Sequence, residues 1–428
     1  MFRRVKEILS GNVSGETKVR GWVYNSRSSG GIVFILLRDG TGLIQCTVKK
    51  DEVPEDVFKT AESLSQESSI IVHGEVNKDE RAPGGYEIKA KKIEIVHRAE
   101  EYPIAPKEHG VEFLLDNRHL HIRSVKMQAI MRIKDAVMTA ARDWFHKEGF
   151  VEVTPPIILK QACEGGSTLF KLDYFGHEAY LSQSAQLHLE AMIFGLEKVY
   201  SVTPSFRAEK SRTRRHLTEY WHIEAEAAWA DFEENLRIQE ELVSYICQRV
   251  ADERAEDLKF LGQDPNYLKK MTTPFPRITY DEAIEMLKKD GFDVYWGVDF
   301  GTEEERQLST HFDKPFFIMF FPKQIKAFYM KARDEKTVLG ADLIAPQGFG
   351  EIIGGSERET DHRTLVERLK EEGEKIENYQ WYLDLRKYGS VPHSGFGLGT
   401  ERLVRWICKT EHIRDVIPFP RTPNRFYP

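Results

Sequence analysis

Residues 206–220 read FRAEKSRTRRHLTEY. The run KVYSVTPSF leads into this stretch and EYWHIEAEAAW leads out of it, so two strands flank a strongly basic loop. An arginine leaving a strand, here Arg207, can clamp a phosphate through two hydrogen bonds, which a lysine cannot do. Lys210, Arg212, Arg214 and Arg215 crowd the loop behind it. Alone, such a cluster reads as the solvated tip of a hairpin. Its flanks, and two further stretches of the chain, change that reading.

Downstream lies Gly395-Phe396-Gly397-Leu398-Gly399-Thr400-Glu401-Arg402-Leu403. Glycines let a backbone approach a ligand or a second strand closely, and the spacing predicts a helix starting near Glu401. No βαβ pattern precedes these glycines and their spacing is wrong for a dinucleotide fingerprint. Upstream, Ile130, Ile133, Val137, Ala140 or Ala141, and Trp144 recur at three-to-four spacing. They predict a helix from Ser124 to Gly149, followed by an extended run into Pro155-Pro156.

Residues 16–98 read as about five short strands with Gly-rich turns, one helix-like stretch near Pro54–Ser65 and a hairpin around Pro83-Gly84-Gly85. That pattern predicts a five-stranded OB-fold β-barrel. EEYPIAPKEHG then breaks the pattern. Beyond it, strand signals at EAYLSQS, KVYSVTPSFRAE, EYWHIEAEAAW, FFIMFFP, AFYMKA and VLGADLIAP mix with helices. Strands follow one another directly, which makes the class α+β. The expected organisation is residues 1–100 as the barrel domain, 101–125 as a hinge, and 126–428 as a second domain on a mostly antiparallel sheet.

With 428 residues, 41% hydrophobic and 30% charged, the chain has the composition of a soluble globular protein able to bury a large core. No run approaches the roughly 18 apolar residues of a membrane span, and the N-terminus lacks a signal-peptide pattern. The expectation is a cytoplasmic protein without a membrane partner. Cys46, Cys163, Cys247 and Cys408 have no paired spacing and read as buried free thiols. The net charge of −7 argues against blanket nucleic-acid binding, so a polyanion must meet local patches.

In order and spacing, GFVEVTPP (149–156), FRAE…HLTEY (206–220) and GFGLGTERL (395–403), behind a barrel, resemble the three signature motifs of class II aminoacyl-tRNA synthetases. The similarity runs from about Lys18 to Pro428 and points to the aspartate/asparagine/lysine subgroup. It implies ATP as a substrate, Mg²⁺, a tRNA partner bound by its anticodon on the barrel, and a homodimer built through the first motif. Carried over, Arg207 faces the ATP α-phosphate and Glu209 reads the adenine amino group. Arg215 and His216 lie near the outer phosphates, while Tyr220 and Arg402 sandwich the adenine. The resemblance makes Arg207 and Arg402 the catalytic pair. Asp342 and Glu351 are the implied metal ligands. Many relatives have Phe at the Tyr220 position, and aspartate enzymes usually have Ser where this chain has Gly354.

For the amino acid, the resemblance implies that Glu164, in a mobile loop with Gly165-Gly166-Ser167, and Gln186 engage the ammonium group. Arg358 would hold the side-chain oxygen. Aspartate enzymes carry a lysine where this chain has Leu189, and a shorter acid where it has Glu224. Leu189 and Glu224 therefore favour L-asparagine and tRNA(Asn). An aspartate enzyme, including one that charges both tRNAs, and an ATP-dependent amide-forming ligase are the competing readings. On the barrel, Phe34 would stack the central anticodon base, with Arg27 and Gln45 beside it. No residue is assigned to the third base, and residues 250–340 carry no assigned role.

Overall fold

The computed structural model describes residues 2–105, 107–161, 163, 168–210 and 214–428. Its contacts divide the chain into two units, Met1–Gly110 and Val111–Pro428.

In the first unit, β1 (Gly15–Ser29), β2 (Ile32–Arg38), β3 (Leu43–Lys49), β4 (Ser69–Lys78) and β5 (Tyr86–His97) close into a barrel in the order β1-β2-β3-β5-β4. Period-two alternation explains its core: Val33, Ile35 and Leu37 point inward with Val19, Ile44, Cys46, Val48 and Val72, while Phe34 points out. A bulge between Val23 and Asn25 bends the long first strand around the barrel. Helix Glu55–Glu62 buries Phe58 and Ala61 in the same core. The β4–β5 turn is Pro83–Gly85, where Gly84 and Gly85 take φ of 80° and 78°, a region that favours glycine.

The second unit holds β6 (Val151–Glu152), β7 (Ile158–Leu159), β8 (Lys171–Tyr174), β9 (His177–Leu181), β10 (Lys198–Phe206), β11 (Glu219–Ala228), β12 (Arg277–Thr279), β13 (Phe316–Met319), β14 (Gly340–Ala345), β15 (Gly350–Glu357) and β16 (His393–Gly399). Eight of these form one sheet ordered β12-β13-β14-β15-β16-β11-β10-β6. It is antiparallel except for β12–β13 and β6–β10 at its edges. Helix Val125–Lys147 starts where the sequence predicts, with the Ser124 side chain accepting the Met127 N–H. Its stripe of Ile130, Ile133, Val137, Ala140, Ala141 and Trp144 is buried against the sheet and helix Phe232–Glu253. Burying each large apolar side chain contributes roughly 1.5–3 kcal/mol, so this stripe fixes the helix in place.

Two expectations change. AFYMKA forms turns and isolated bridges in place of a strand. Phe328 and Tyr329 are adjacent yet both buried, joining Leu365, Tyr379 and Tyr382, so no two-faced alternation remains. The stretch read as a hinge contains helices Val111–Asp116 and Arg118–His121. The buried Arg118 guanidinium anchors them by donating to the carbonyls of Arg414, Ile417 and Pro418. The unassigned region before the third motif packs a satellite core of Tyr280, Ile284, Leu287, Phe300, Leu308 and Phe316 that extends the sheet. All four cysteines are buried free thiols. Among the described residues no helix is long and apolar enough to cross a membrane.

Candidate active site

The glycine-rich run becomes the middle strand β16, with β11 and β15 on either side. Register places Gly395 between Glu226 and Ser356, and Gly397 between Glu224 and Gly354. A Cβ at Gly395 would lie 2.2 Å from the Glu226 carboxylate, and one at Gly397 would lie 3.2 Å from His222 Nε2. The missing side chains let β11 send its own across the strand. Above this floor opens a cavity of about 760 Å³. It gathers Gln186, Arg207, Glu209, Arg215, His216, Tyr220, Glu224, Asp342, Glu351, Arg358 and Arg402, all of them singled out in the sequence. The second and third motifs converge because β11 and β16 are neighbours.

At one end stands Arg358, fully buried. Its Nε lies 3.1 Å from Glu226 Oε1, Nη2 donates to the same carboxylate, and Nη1 donates to Ser356 Oγ at 2.8 Å. Three of the five guanidinium N–H groups are so engaged. Glu226 was missed by sequence reasoning; its spacing of two from Glu224 in an apolar central strand was the available signal, placing both acids on one face. Burial pushes Glu226 up to about 7 against the pull of Arg358. Glu224 accepts the Ala185 N–H at 2.8 Å and the Ser184 hydroxyl, so its carboxylate sits at the start of helix Gln186–Leu196. Gln186 Nε2 donates to Glu190 Oε1 at 3.0 Å. With its amino group turned away, Gln186 has its carbonyl oxygen left to meet a donor in the cavity.

Leu189 is placed differently from expectation. It does not line the cavity. It is fully buried with Ala185, Ile193 and Val199. Three residues along a helix turn a side chain by about 60° from Gln186 and carry it roughly 4.5 Å along the axis, toward β10 and away from the wall. Glu164 and its neighbours Gly165, Gly166 and Ser167 lie outside the described residues, as does Arg212.

At the other end, Glu351 Oε2 accepts from Arg402 Nη1 at 2.8 Å, and Asp342 Oδ2 accepts from Lys326 Nζ at 2.7 Å. The second oxygens of both acids face one spot. A Cβ at Gly354 would stand 3.4 Å from Asp342 Oδ1 and 3.5 Å from Glu351 Oε1. Burial raises Asp342 to about 7 despite Lys326, helped by the Glu351 charge. Burial also resists ionisation of Glu351, but Arg402, Arg215 and Lys326 outweigh it and bring its pKa down to about 2. His216, pushed down to about 4 by burial and by Arg402, Arg215 and Arg207, is a neutral ring at pH 7. Arg215 is buried in a two-pronged pair with Glu305. Lys326 and Glu305 were not foreseen: both fall in the stretch that carried no assigned role, and nothing local in TEEER marks which acid turns inward.

On the barrel, Arg27 and Phe34 are cross-strand partners, with the guanidinium 4.8 Å from the ring centroid. Gln45 lies on β3 and donates to Glu87 Oε2 at 3.0 Å. Glu87 also accepts from Thr47 and Asn77. The exposed face of β1–β3 thus presents an aromatic ring, a cation and an amide side by side.

A strand pair carrying Arg207 and a glycine-rich strand leading to Arg402, above an eight-stranded sheet, match the family model of class II tRNA synthetases (D, K and N) over residues 110–423. Residues 17–96 match the OB-fold nucleic acid binding domain. The chain belongs to the class II tRNA synthetases of the D, K and N group. It is 57% identical to the asparagine–tRNA ligase of Pyrococcus abyssi over 415 residues, 96% of each chain. It is 55% identical to that of Pyrococcus furiosus over 428 residues, covering 99% of this chain and 98% of the other. The crystal structure of asparaginyl-tRNA synthetase from Pyrococcus horikoshii complexed with asparaginyl-adenylate superposes with a TM-score of 0.97 at 52% identity, over 100% of both chains.

Proposed function

We propose that the chain is an asparagine–tRNA ligase, which joins L-asparagine to ATP as asparaginyl-adenylate and passes the asparaginyl group to the 3′ end of tRNA(Asn). The observation that carries the amino-acid choice is the Arg358–Glu226 pair. Glu226 already occupies the Nε and Nη2 edge of that guanidinium, so the pocket offers its remaining N–H groups to a side-chain oxygen, and the described residues at this end of the cavity add no second cation for a carboxylate. Glu224 adds a negative wall that accepts a carboxamide N–H and repels an aspartate side chain. A carboxylate accepts about four hydrogen bonds, so anchoring by Ser184 and Ala185 is compatible with that role. Gln186, through its carbonyl oxygen, takes the ammonium group together with Glu164.

The carboxylate of asparagine attacks the ATP α-phosphate and pyrophosphate leaves; the terminal ribose hydroxyl of the tRNA then attacks the carbonyl carbon of the adenylate, and AMP leaves with the electron pair of the broken anhydride bond. Arg207 stabilises charge developing on the α-phosphate. Arg215 and neutral His216 face the outer phosphates, and Glu209 reads the adenine amino group. Arg402 donates to Glu351 in the plane of its guanidinium, which leaves its flat face to cover adenine opposite Tyr220. Asp342 Oδ1 and Glu351 Oε1 suit Mg²⁺, which takes one or two carboxylates and completes its shell with phosphate and water. Among the described residues no group of three or more His, Cys, Asp or Glu forms a cage for a metal. When bound, Mg²⁺ would neutralise phosphate charge there. Catalysis is mostly positioning and electrostatics.

The same reading includes a homodimer and a cytoplasmic location. Val151, Ile157 and Ile158, exposed beside Pro156, offer an apolar seam for the partner; sedimentation at micromolar concentration tests it. Phe34, Arg27 and Gln45 meet the anticodon. ATP–pyrophosphate exchange with Asn, Asp and Lys in turn tests the whole. Exchange with Asn alone is expected; exchange with Asp and none with Asn overturns the specificity.

A further inference from the structure

Helix Thr302–Ser309 lies outside all three motifs, yet it grips the β14–β15 turn. Ser309 Oγ accepts the Gly348 N–H at 2.7 Å, and its carbonyl accepts the Gln347 N–H at 3.3 Å. One turn earlier, Glu305 is 6% exposed and faces the cavity. Its Oε2 accepts the backbone N–H of Glu351 at 2.8 Å. The same carboxylate takes Arg215 Nη1 and Nη2 at 2.5 and 2.8 Å. Gly350 makes room for this knot: its φ is +78°, and a Cβ there would lie 2.3 Å from Arg215 Nη1 and 2.9 Å from Glu305 Oε2. One buried carboxylate therefore joins the end of the basic loop, the start of β15 and an inserted helix.

We propose that Glu305 is a positioning residue for the nucleotide, holding the Arg215 guanidinium and the Glu351 backbone at a fixed separation around the triphosphate. A long, rotamer-rich arginine on a loop is otherwise costly to order when ligand binds. Glu305 orders it beforehand, and the two-pronged geometry sets its plane as well as its position. Arg215 would then turn a side edge of its guanidinium toward the phosphate while Glu305 holds both terminal nitrogens. The inference rests on the ATP-dependent reading above and deepens it.

The test compares wild type with Glu305→Gln and Glu305→Asp. Equilibrium binding of ATP with Mg²⁺ is measured without amino acid, then asparagine-dependent exchange and Tm. Loss of one charge-assisted contact predicts a rise of about tenfold or more in Kd and KM for ATP. KM for asparagine should stay within about twofold, because its site is at the far end of the cavity. Glu305→Asp keeps the charge and shortens the reach, so it too should weaken ATP binding, even if the Gln variant fails to fold. Unchanged ATP affinity in either folded variant overturns the proposal. So does an equal rise in both KM values, which marks a general structural brace. Wild type that binds ATP but shows no exchange with asparagine would sink the functional reading and leave Glu305 to be judged on binding alone.

Discussion

Glu226 reaches Arg358 by passing over Gly395, two strands meeting across a third. Both charged groups are out of water, and such a pair is tolerable only when geometry and further hydrogen bonds are good. Ser356 supplies one of those bonds. The relationship gives the glycine-rich motif a reason that has nothing to do with backbone flexibility: Gly395 is small so that its neighbour can cross.

Gly395→Ala should break that crossing. A methyl 2.2 Å from the Glu226 carboxylate forces the pair apart. Breaking one partner of a buried pair costs about 3–5 kcal/mol, so Tm should fall sharply. In the fraction that stays folded, KM for asparagine should rise more than KM for ATP; steady-state exchange with each substrate varied separately measures the split.

Leu189 and Glu224 part company. Leu189→Ala should destabilise by about 2–5 kcal/mol, as truncation of a fully buried leucine does, with the preference for Asn over Asp unchanged. Glu224→Gln should keep the fold and narrow that preference by about tenfold or more, since it removes the like charge that rejects aspartate. Urea unfolding and the ratio of kcat/KM values for the two amino acids separate these outcomes.

Arg207→Ala should lower asparagine-dependent exchange at least about a hundredfold, the scale of losing one transition-state donor. Arg207 lies at the mouth of a strand pair and is only partly buried, so Tm should hold. Wild-type exchange in the purified variant would remove Arg207 from the mechanism.

Phe34→Ala should cut tRNA charging while exchange stays near wild type. Stacking of a base on an aromatic contributes about 1–3 kcal/mol, which corresponds to a loss of roughly five- to a hundredfold in tRNA affinity. An equal fall in both activities would argue against a separate anticodon surface.

Acid should weaken the fold through His216 and His412. Burial and neighbouring arginines push both from the ordinary 6.5 down to about 4. Between those values the unfolded chain binds protons that the native protein refuses, so stability is full above 6.5 and declines as pH falls toward 4. Glu226 and Asp342, both raised to about 7, pull the other way over the same range, so the readout is the difference between two proteins: from pH 7.5 to 5 the urea midpoint should change in a less destabilising direction in His216→Asn than in wild type. An identical change in the variant would assign the effect elsewhere.

The sequence by itself determined where the strands and the long helix lie. The apolar, β-branched run IVFILL marked a strand, and the three-to-four stripe after Ser124 set the long helix and its buried face; that Val33, Ile35 and Leu37 face inward and Phe34 outward follows from closure of the barrel. Those signals are local, because a strand or helix repeats within a few residues and water acts on every turn of it. Motif order was legible for the same reason: each motif is one continuous stretch. Only the tertiary structure decided the partners. Strand order put Arg358 within reach of Glu226, the turn of one helix took Leu189 off the cavity wall, and an inserted helix brought Glu305 to Arg215. A short-range pattern records how each element meets solvent, whereas pairing between residues distant in the chain depends on register and packing that no single segment carries.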